Sequence, residues 1–482
     1  MSKEISDQTG ALETLLSNGV SLLNRVTEEI TNLSMHPDET TELVAKHMYG
    51  TWRVQKNWKN PRNIVDAEGV YFFDASGKKF LDFSSQLVCV NLGHKNQAVI
   101  EAIVEQARKM PYISPAFATE IRARTSAALA KVLPEGLEKI FYSTAGTEAN
   151  EAAIKITRMY QKPKGAYKII SRYTSYHGST AGAIAVTGDP RRWFSEPSNK
   201  IPGTIFAPDC YCYRCPFQQE YPACGITCAE YLDYMIANEG NVAGIIVEPV
   251  VGTNGVLVPV KEYLPRLRQI ADDRNILLIV DEVMAGWGRT GTWFAVDNWG
   301  VKPDILTTAK GSTSAYTPLG ITATTRRIAD YFEENYFAHG HTYEAHPLAM
   351  APVPAVIQEY KRLNILENVR KQGAYLGKRL NEIKEKHVSV GDIRGIGLFW
   401  AVELAKNRKT KKPFNTGPEK FTGQTLMVDR VAAELFNRGV YLMAWINHFI
   451  IAPPLIVTKE QVDQGVDALD DALKIVDGEV DQ

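Results

Sequence analysis

Residues 277–291 read LLIVDEVMAGWGRTG, and residues 304–311 read DILTTAKG. The first opens as a short apolar run and stops at an acidic pair, Asp281-Glu282. Such a run, bounded by charge and a glycine-containing turn, reads as a strand buried on both faces. The second repeats the form: Asp304–Thr308 is the next strand, and Lys310 follows it. Two successive strands therefore end in a carboxylate and an amine. In an open α/β sheet, ligands sit at the carboxyl ends of the strands. A carboxylate there is costly to bury without a cationic partner. Asp281 and Lys310 are the first candidates for a shared site.

Outward from this pair the chain keeps one grammar. Strands are expected at Ile140–Ser143, Lys168–Ser171 and Gly244–Val247, with helices at Glu148–Tyr160 and Tyr263–Asp273 between them. Strands alternating with helices predict an α/β fold with a mainly parallel sheet. Upstream, GVYFFDASGKKFLDF (69–83) alternates aromatics around a D-x-S-G turn and predicts a β-hairpin. Residues 1–45 read as an acidic, amphipathic helical arm. Beyond Tyr343 come longer helices, Leu348–Leu363 and Ile365–Lys386, then GIGLFWAVEL, a basic loop at 405–420 and a closing helix. The division expected is an N-terminal arm with part of a small domain (1–75), a large domain (76–342) and a small α+β domain (343–482).

Composition narrows the function. The 482 residues carry 54 Lys+Arg against 55 Asp+Glu, a net charge of -1, so nothing draws the chain to nucleic acid or anionic lipid. Hydrophobic content of 45% with 23% charged residues is that of a globular protein. No apolar run reaches the roughly 20 residues of a membrane span. The opening MSKEISDQTGALETLLSNG has early acids and no apolar core, so it reads as neither signal nor transit peptide, and the cytoplasm is the expected compartment.

After Ile140–Ser143 comes TAGTEANEAAIK, small residues opening directly into a helix. Free N–H groups and the positive end of the dipole make such a start an anion site, with Gly146 and Thr147 as the phosphate contacts. There is no G-x-x-x-x-G-K-[ST], and the G-x-G-x-x-G string at Gly286–Gly291 opens no expected helix, so dinucleotide binding lacks its fingerprint. The phosphate therefore belongs to another kind of cofactor. A lysine that can form an imine, an acid that can pair with a protonated ring nitrogen, and a phosphate-holding helix are the three handles of pyridoxal 5'-phosphate (PLP).

With these residues in view, the chain resembles the class III, or ω-amino acid, aminotransferases of the type I PLP fold. AGTEANEAAIK, SYHGST, IIVEPVVGTNGV, LIVDEVMAGWGRTG, DILTTAKG, HTYEAHPLA and RGIGLF follow in family order, and the resemblance spans roughly residues 50–465. It implies a large PLP-binding domain and a smaller one. Lys310 resembles the Schiff-base lysine and proton shuttle, and Asp281 the partner of the ring nitrogen. Tyr176 resembles the residue stacked on the ring, with Val283 backing the other face. Gly146 and Thr147 resemble the phosphate loop, although Ala145 stands where many relatives have serine. Glu248 resembles an acid beside the cofactor's ring oxygen. Thr342 resembles a phosphate ligand donated by the neighbouring subunit, which implies a homodimer with shared sites.

The implied substrates are an amino donor and a 2-oxo acid. Arg394, in the R-G-x-G segment, resembles the arginine that grips a substrate carboxylate, and Trp58 resembles a residue lining the substrate pocket. Relatives that use 2-oxoglutarate often carry Q-G-E-G-G, whose Glu neutralises that arginine; here Thr253 takes its place, so Arg394 is expected to lack that gate. EPVVGTNG and CYCYRCPF look like segments of taurine-type transaminases, which favours taurine over β-alanine and 4-aminobutyrate. Pyruvate and 2-oxoglutarate both stand as acceptors. Aminomutases, racemases and phospho-lyases of the same fold are the alternative. His94 and His177 read as structural hydrogen-bonders. Cys210, Cys212, Cys215, Cys224 and Cys228 cluster at a spacing that would suit a thiolate metal site, but the implied chemistry needs no metal, and the cluster reads as a loop of reduced thiols.

Overall fold

A computed structural model describes residues 21, 36–195 and 201–481. The chain forms two compact units, Met1–Ile64 and Val65–Gln482. In the first, helix α1 (Pro37–His47) starts with Asp38 and Glu39 and ends with Lys46 and His47, each charge matched to the helix dipole. Most of the arm expected over residues 1–45 lies outside the described residues. Trp58 belongs to this unit, with the Arg53 guanidinium 4.8 Å from its ring centre.

The second unit opens on the expected hairpin, β1 (Tyr71–Asp74) and β2 (Lys79–Asp82), paired antiparallel with Tyr71 opposite Leu81. Asp74 closes its turn by accepting from the Ser76 and Lys78 amides, both at 3.0 Å. The main sheet then gathers β3 (Leu137–Ser143), α2 (Gly146–Gln161), β4 (Lys168–Arg172), β5 (Thr204–Ala207), α3 (Thr227–Glu239), β6 (Val242–Val247), α4 (Tyr263–Asp273), β7 (Leu277–Asp281), β8 (Ile305–Thr308) and β9 (Gly320–Thr325). Its strand order is β3-β9-β8-β7-β6-β4-β5. The neighbours from β8 to β5 run parallel, and β9 runs antiparallel between β3 and β8.

Every residue of β7 is buried, and alternate side chains feed opposite faces. Leu278 and Val280 join the core that contains Leu232 of α3 and Leu264 and Leu267 of α4. Leu277 and Ile279 join a second core with Ala153 and Ile156 of α2. A sheet covered on both sides leaves only its strand ends open to ligands.

The C-terminal third adds α5 (Pro352–Arg362) and α6 (Ile365–Lys386), then β10 (Val390–Ile396), β11 (Phe399–Leu404), α7 (Met427–Asn437), β12 (Val440–Tyr441), β13 (Met443–Trp445), β14 (His448–Ile451) and the closing α8 (Lys459–Asp477). The helix expected over Leu348–Leu363 is broken: Pro347–Met350 and Pro352–Arg362 are separate, because Pro352 and Pro354 remove backbone donors at the junction. GIGLFWAVEL forms the turn and second strand of the β10–β11 hairpin. β12 pairs parallel with β2, tying this region back to the start of the unit. Among the described residues, no helix is long and apolar enough to cross a membrane.

Ile279 has no exposed surface in either packed face. Ile279→Ala should lower stability by about 2–5 kcal/mol, read as a fall in the denaturation midpoint. Val388→Ala, at a position 54% exposed, should move it by no more than about 0.5 kcal/mol.

Candidate active site

Asp281 ends β7, and Lys310 follows the adjacent parallel strand β8, whose Thr307 pairs with Asp281 in register. Both line a cavity of about 530 Å³ together with Gly146, Thr147, Tyr176, Glu248 and Val283. That volume lies within the range of small-molecule sites.

The Asp281 carboxylate is buried yet fully oriented. Its Oδ2 accepts from Asn150 Nδ2 and His177 Nδ1, both at 2.7 Å, and its Oδ1 accepts from the Val283 amide at 2.9 Å. Thr307 Oγ1 donates to Asn150 Oδ1 at 2.7 Å and so fixes which way that amide faces. The His177 side chain has no exposed surface. His177 is thus a hydrogen-bonder to the very acid that the strand pattern selects. Asn150 was not foreseen; it sits four residues into α2 from Gly146, on the turn facing the sheet.

Lys310 has a left-handed backbone (φ 45°), a conformation that costs a non-glycine residue about 1–2 kcal/mol. Burial pulls its amine below the usual lysine range, opposed by Cys89 and by the Asp281 and Glu248 carboxylates. A larger neutral fraction makes the amine a better nucleophile and proton acceptor. Glu248 ends its own segment just beyond β6, accepting from the Tyr176 amide at 3.0 Å and the Gly252 amide at 2.7 Å. Burial pushes its carboxyl up, with His177 opposing and Asp281 reinforcing. The next carboxyl along, Glu282, is wholly buried and pushed up to about 8; it accepts from the Ala295 and Val296 amides and braces the turn behind Asp281.

The phosphate-loop expectation meets a helix start without a side-chain cap: Ala145 occupies the N-cap and makes no capping bond. The Cβ of a larger residue at Gly146 would come within 2.7 Å of Val283 Cγ1. A Cβ at Gly178 would lie 2.8 Å from Ala183 Cβ. The backbone is therefore exposed to an anion where side chains are excluded. Thr147 Oγ1 is taken by the Ser179 amide at 3.0 Å, which holds the facing loop. The Arg191 guanidinium stacks on Tyr176 at 3.9 Å and on Trp445 at 4.6 Å. An uncapped helix start, a buried oriented carboxylate and a depressed lysine within one cavity fit PLP's phosphate, ring nitrogen and carbonyl.

Three expected residues are not in the lining. Thr342 is exposed, its carbonyl accepting from Tyr112 at 3.0 Å. Trp58 lies in the first unit. Arg394 stands behind the loop that carries Thr253: its Nε donates to Gly255 O at 2.6 Å, and its Nη1 to Asp392 at 2.9 Å and Glu403 at 2.7 Å. Thr253 brings no carboxylate to Arg394; its neutralising partners are instead Asp392 and Glu403, two acids that the reading of the sequence did not name. The sequence offered a signal, a strand partner with an acid nine residues on, but only the hairpin pairing reveals it. The five clustered thiols and Cys89 are free, and among the described residues no group of three or more His, Cys, Asp or Glu is arranged to hold a metal.

The chain matches the family described as aminotransferase class-III over residues 54–473. It is 35% identical to a putrescine–pyruvate aminotransferase of Pseudomonas aeruginosa over 419 residues, 85% of this chain and 90% of that protein. It is 34% identical to a leucine/methionine racemase of Thermococcus litoralis, covering 86% of this chain and 91% of that one. Among solved structures, a taurine:2-oxoglutarate aminotransferase from Bifidobacterium kashiwanohense, in complex with PLP and glutamate, superposes with a TM-score of 0.88 at 35% identity, over 93% of this chain and all of that one. The chain belongs to the class III aminotransferases: its fold is the type I PLP fold, and its cofactor is pyridoxal 5'-phosphate.

His448, on β14, donates from Nε2 to Thr253 O at 2.9 Å and so holds the cavity-side loop. Burial, reinforced by the Arg394 charge, pulls its pKa down to about 4. The unfolded chain protonates near 6.5 while the folded one does not, so stability is lost as pH falls from about 6.5 to about 4, by about 3 kcal/mol. His448→Gln should flatten that part of the stability–pH curve, measured by denaturant titration at fixed pH values.

Proposed function

We propose that this PLP-dependent aminotransferase moves the terminal amino group of a small ω-amino acid to a 2-oxo acid. Taurine is the favoured donor, with β-alanine and 4-aminobutyrate behind it, and pyruvate or 2-oxoglutarate is the acceptor. The observation that carries the reading is the meeting of Lys310 and Asp281 at the ends of adjacent parallel strands, in one cavity with the uncapped start of α2.

When bound, the cofactor supplies a carbonyl that captures amines and a ring that takes up negative charge. The chain's residues divide the remaining work. Lys310 Nζ would hold the carbonyl end of the cofactor. Once free, the same Nζ would take the proton from the donor's amine-bearing carbon and return it one position away. Asp281 keeps a proton on the ring nitrogen through its carboxylate, held in place by His177 and Asn150. The start of α2, at Gly146 and Thr147, would carry the phosphate, Tyr176 and Val283 would hold the ring, and Glu248 would stand beside it. Donor and acceptor use the same residues in turn, hence ping-pong kinetics.

The taurine assignment is supported by the solved neighbour named for taurine and 2-oxoglutarate. The relative named for putrescine and pyruvate supports a terminal amine and leaves the acceptor open. We also propose a cytoplasmic homodimer in which Thr342 completes the neighbour's phosphate site. Around it Tyr112 and Tyr343, 41% and 58% exposed, stack edge-on at 6.3 Å, an apolar surface suited to a second copy.

Holoenzyme mixed with single amines and no oxo acid should lose its visible cofactor absorbance fastest with taurine. Bleaching by another ω-amine alone would replace taurine and keep the transaminase. The racemase relative makes the second reading specific: turnover of an amino acid with no oxo acid present and no bleaching would favour a racemase or mutase. Lys310→Ala should lower turnover by at least about 10⁴-fold, because attachment and proton transfer are lost together; retained activity in a steady-state assay would remove Lys310 from the mechanism.

A further inference from the structure

The segment between β5 and α3, residues 208–226, carries most of the clustered cysteines, and the reaction makes no use of it. Its aromatic and basic side chains converge on one buried acid. Tyr211 OH donates to Glu403 Oε2, and Arg214 Nε donates to Glu403 Oε1 at 2.7 Å. Arg214 also donates to Lys411 O, and the Lys411 amine lies over the Tyr213 ring at 5.2 Å. Glu403 is only 5% exposed, so its charge depends on these partners and on Arg394.

Arg394 closes the cluster from the other side. Its guanidinium lies 4.9 Å from the Tyr211 ring centre, between Glu403 and Asp392, with Nε on Gly255 O. The packing leaves no slack: a Cβ at Gly255, where φ is +119°, would come within 2.6 Å of Arg394 Nη2. Gly255 belongs to the loop whose Thr253 lines the cavity. The same loop is held by His448 on Thr253 O, and by Asn254 Nδ2 on Thr174 O at 2.6 Å and on Asp189 at 3.0 Å.

We infer that Arg394 is a positioning residue: through Glu403 it docks segment 208–226 on the β10–β11 hairpin, and through Gly255 it fixes the loop that forms one wall of the active-site cavity. A guanidinium stacked on a tyrosine and engaged by two carboxylates and a carbonyl is already satisfied. A substrate carboxylate would have to displace those partners, leaving Glu403 with Arg214 and Tyr211 alone. The kinetic arm of the test rests on the transaminase reading; the thiol arm does not.

The test is mass-resolved alkylation of the full-length holoenzyme, followed cysteine by cysteine. Cys212 is exposed and serves as the internal standard, whereas Cys210 is buried and Cys215 half-buried. Arg394→Gln and Glu403→Gln should each speed labelling of Cys210 and Cys215 by about tenfold or more, through local opening of the docked segment. Arg394→Lys, which keeps the charge but not the fork, should fall between. In the same variants kcat should drop while the KM values for pyruvate and 2-oxoglutarate stay within about twofold. Thiol rates at the wild-type level with an acceptor KM raised about tenfold would overturn the inference and make Arg394 a substrate ligand. Unchanged thiol rates with unchanged kinetics would overturn it equally. Should Arg394→Gln fail to fold, Arg214→Gln at the 25% exposed rim puts the same question to the thiols. If the wild type shows no donor-driven bleaching, the transaminase reading fails and the thiol rates still decide the docking.

Discussion

A carboxylate at the end of a strand buried on both faces is the constraint around which this molecule is built. Asp281 would be costly to sequester by itself. The fold answers with three donors from three places: Asn150 on α2, His177 in the loop after β4, and the Val283 amide in its own turn. Thr307 on the next strand then fixes Asn150, so the neighbouring strand, the helix and the loop all register on one acid. β7 and β8 pair directly and in parallel, with antiparallel β9 on the far side of β8, and this brings Lys310 to the same opening.

Much of this was legible in the residues. Short apolar runs ending in Asp281 and preceding Lys310 marked adjacent strand ends, and small residues after β3 marked an anion-holding helix. The helix at Tyr263–Asp273 and the strand at Leu277–Asp281 have the bounds read from the pattern. β5 and β9 were missed because Thr204–Ala207 is only four residues long at the sheet edge, and Gly320–Thr325 is half threonine rather than an apolar run.

What the pattern does not carry is contact across distant elements. Asn150 looks like one more polar residue on an amphipathic helix until Thr307 and Asp281 are set against it. Arg394 has the right neighbours in sequence for gripping a carboxylate, yet Glu403 opposes it only because β10 and β11 pair antiparallel, and Arg214 arrives from nearly two hundred residues upstream. The family resemblance supplies the chemistry of the centre; the ion pairs behind the wall emerge only from the folded contacts.

The left-handed backbone at Lys310 has a consequence for descent. Glycine adopts that conformation without penalty, so the position would be more comfortable with no side chain at all. Each lineage that keeps a lysine there does so against a slope in folding free energy. A copy released from selection for activity would gain stability there by a change to glycine, and not by loss of the amine alone, because the strain lies at Cβ.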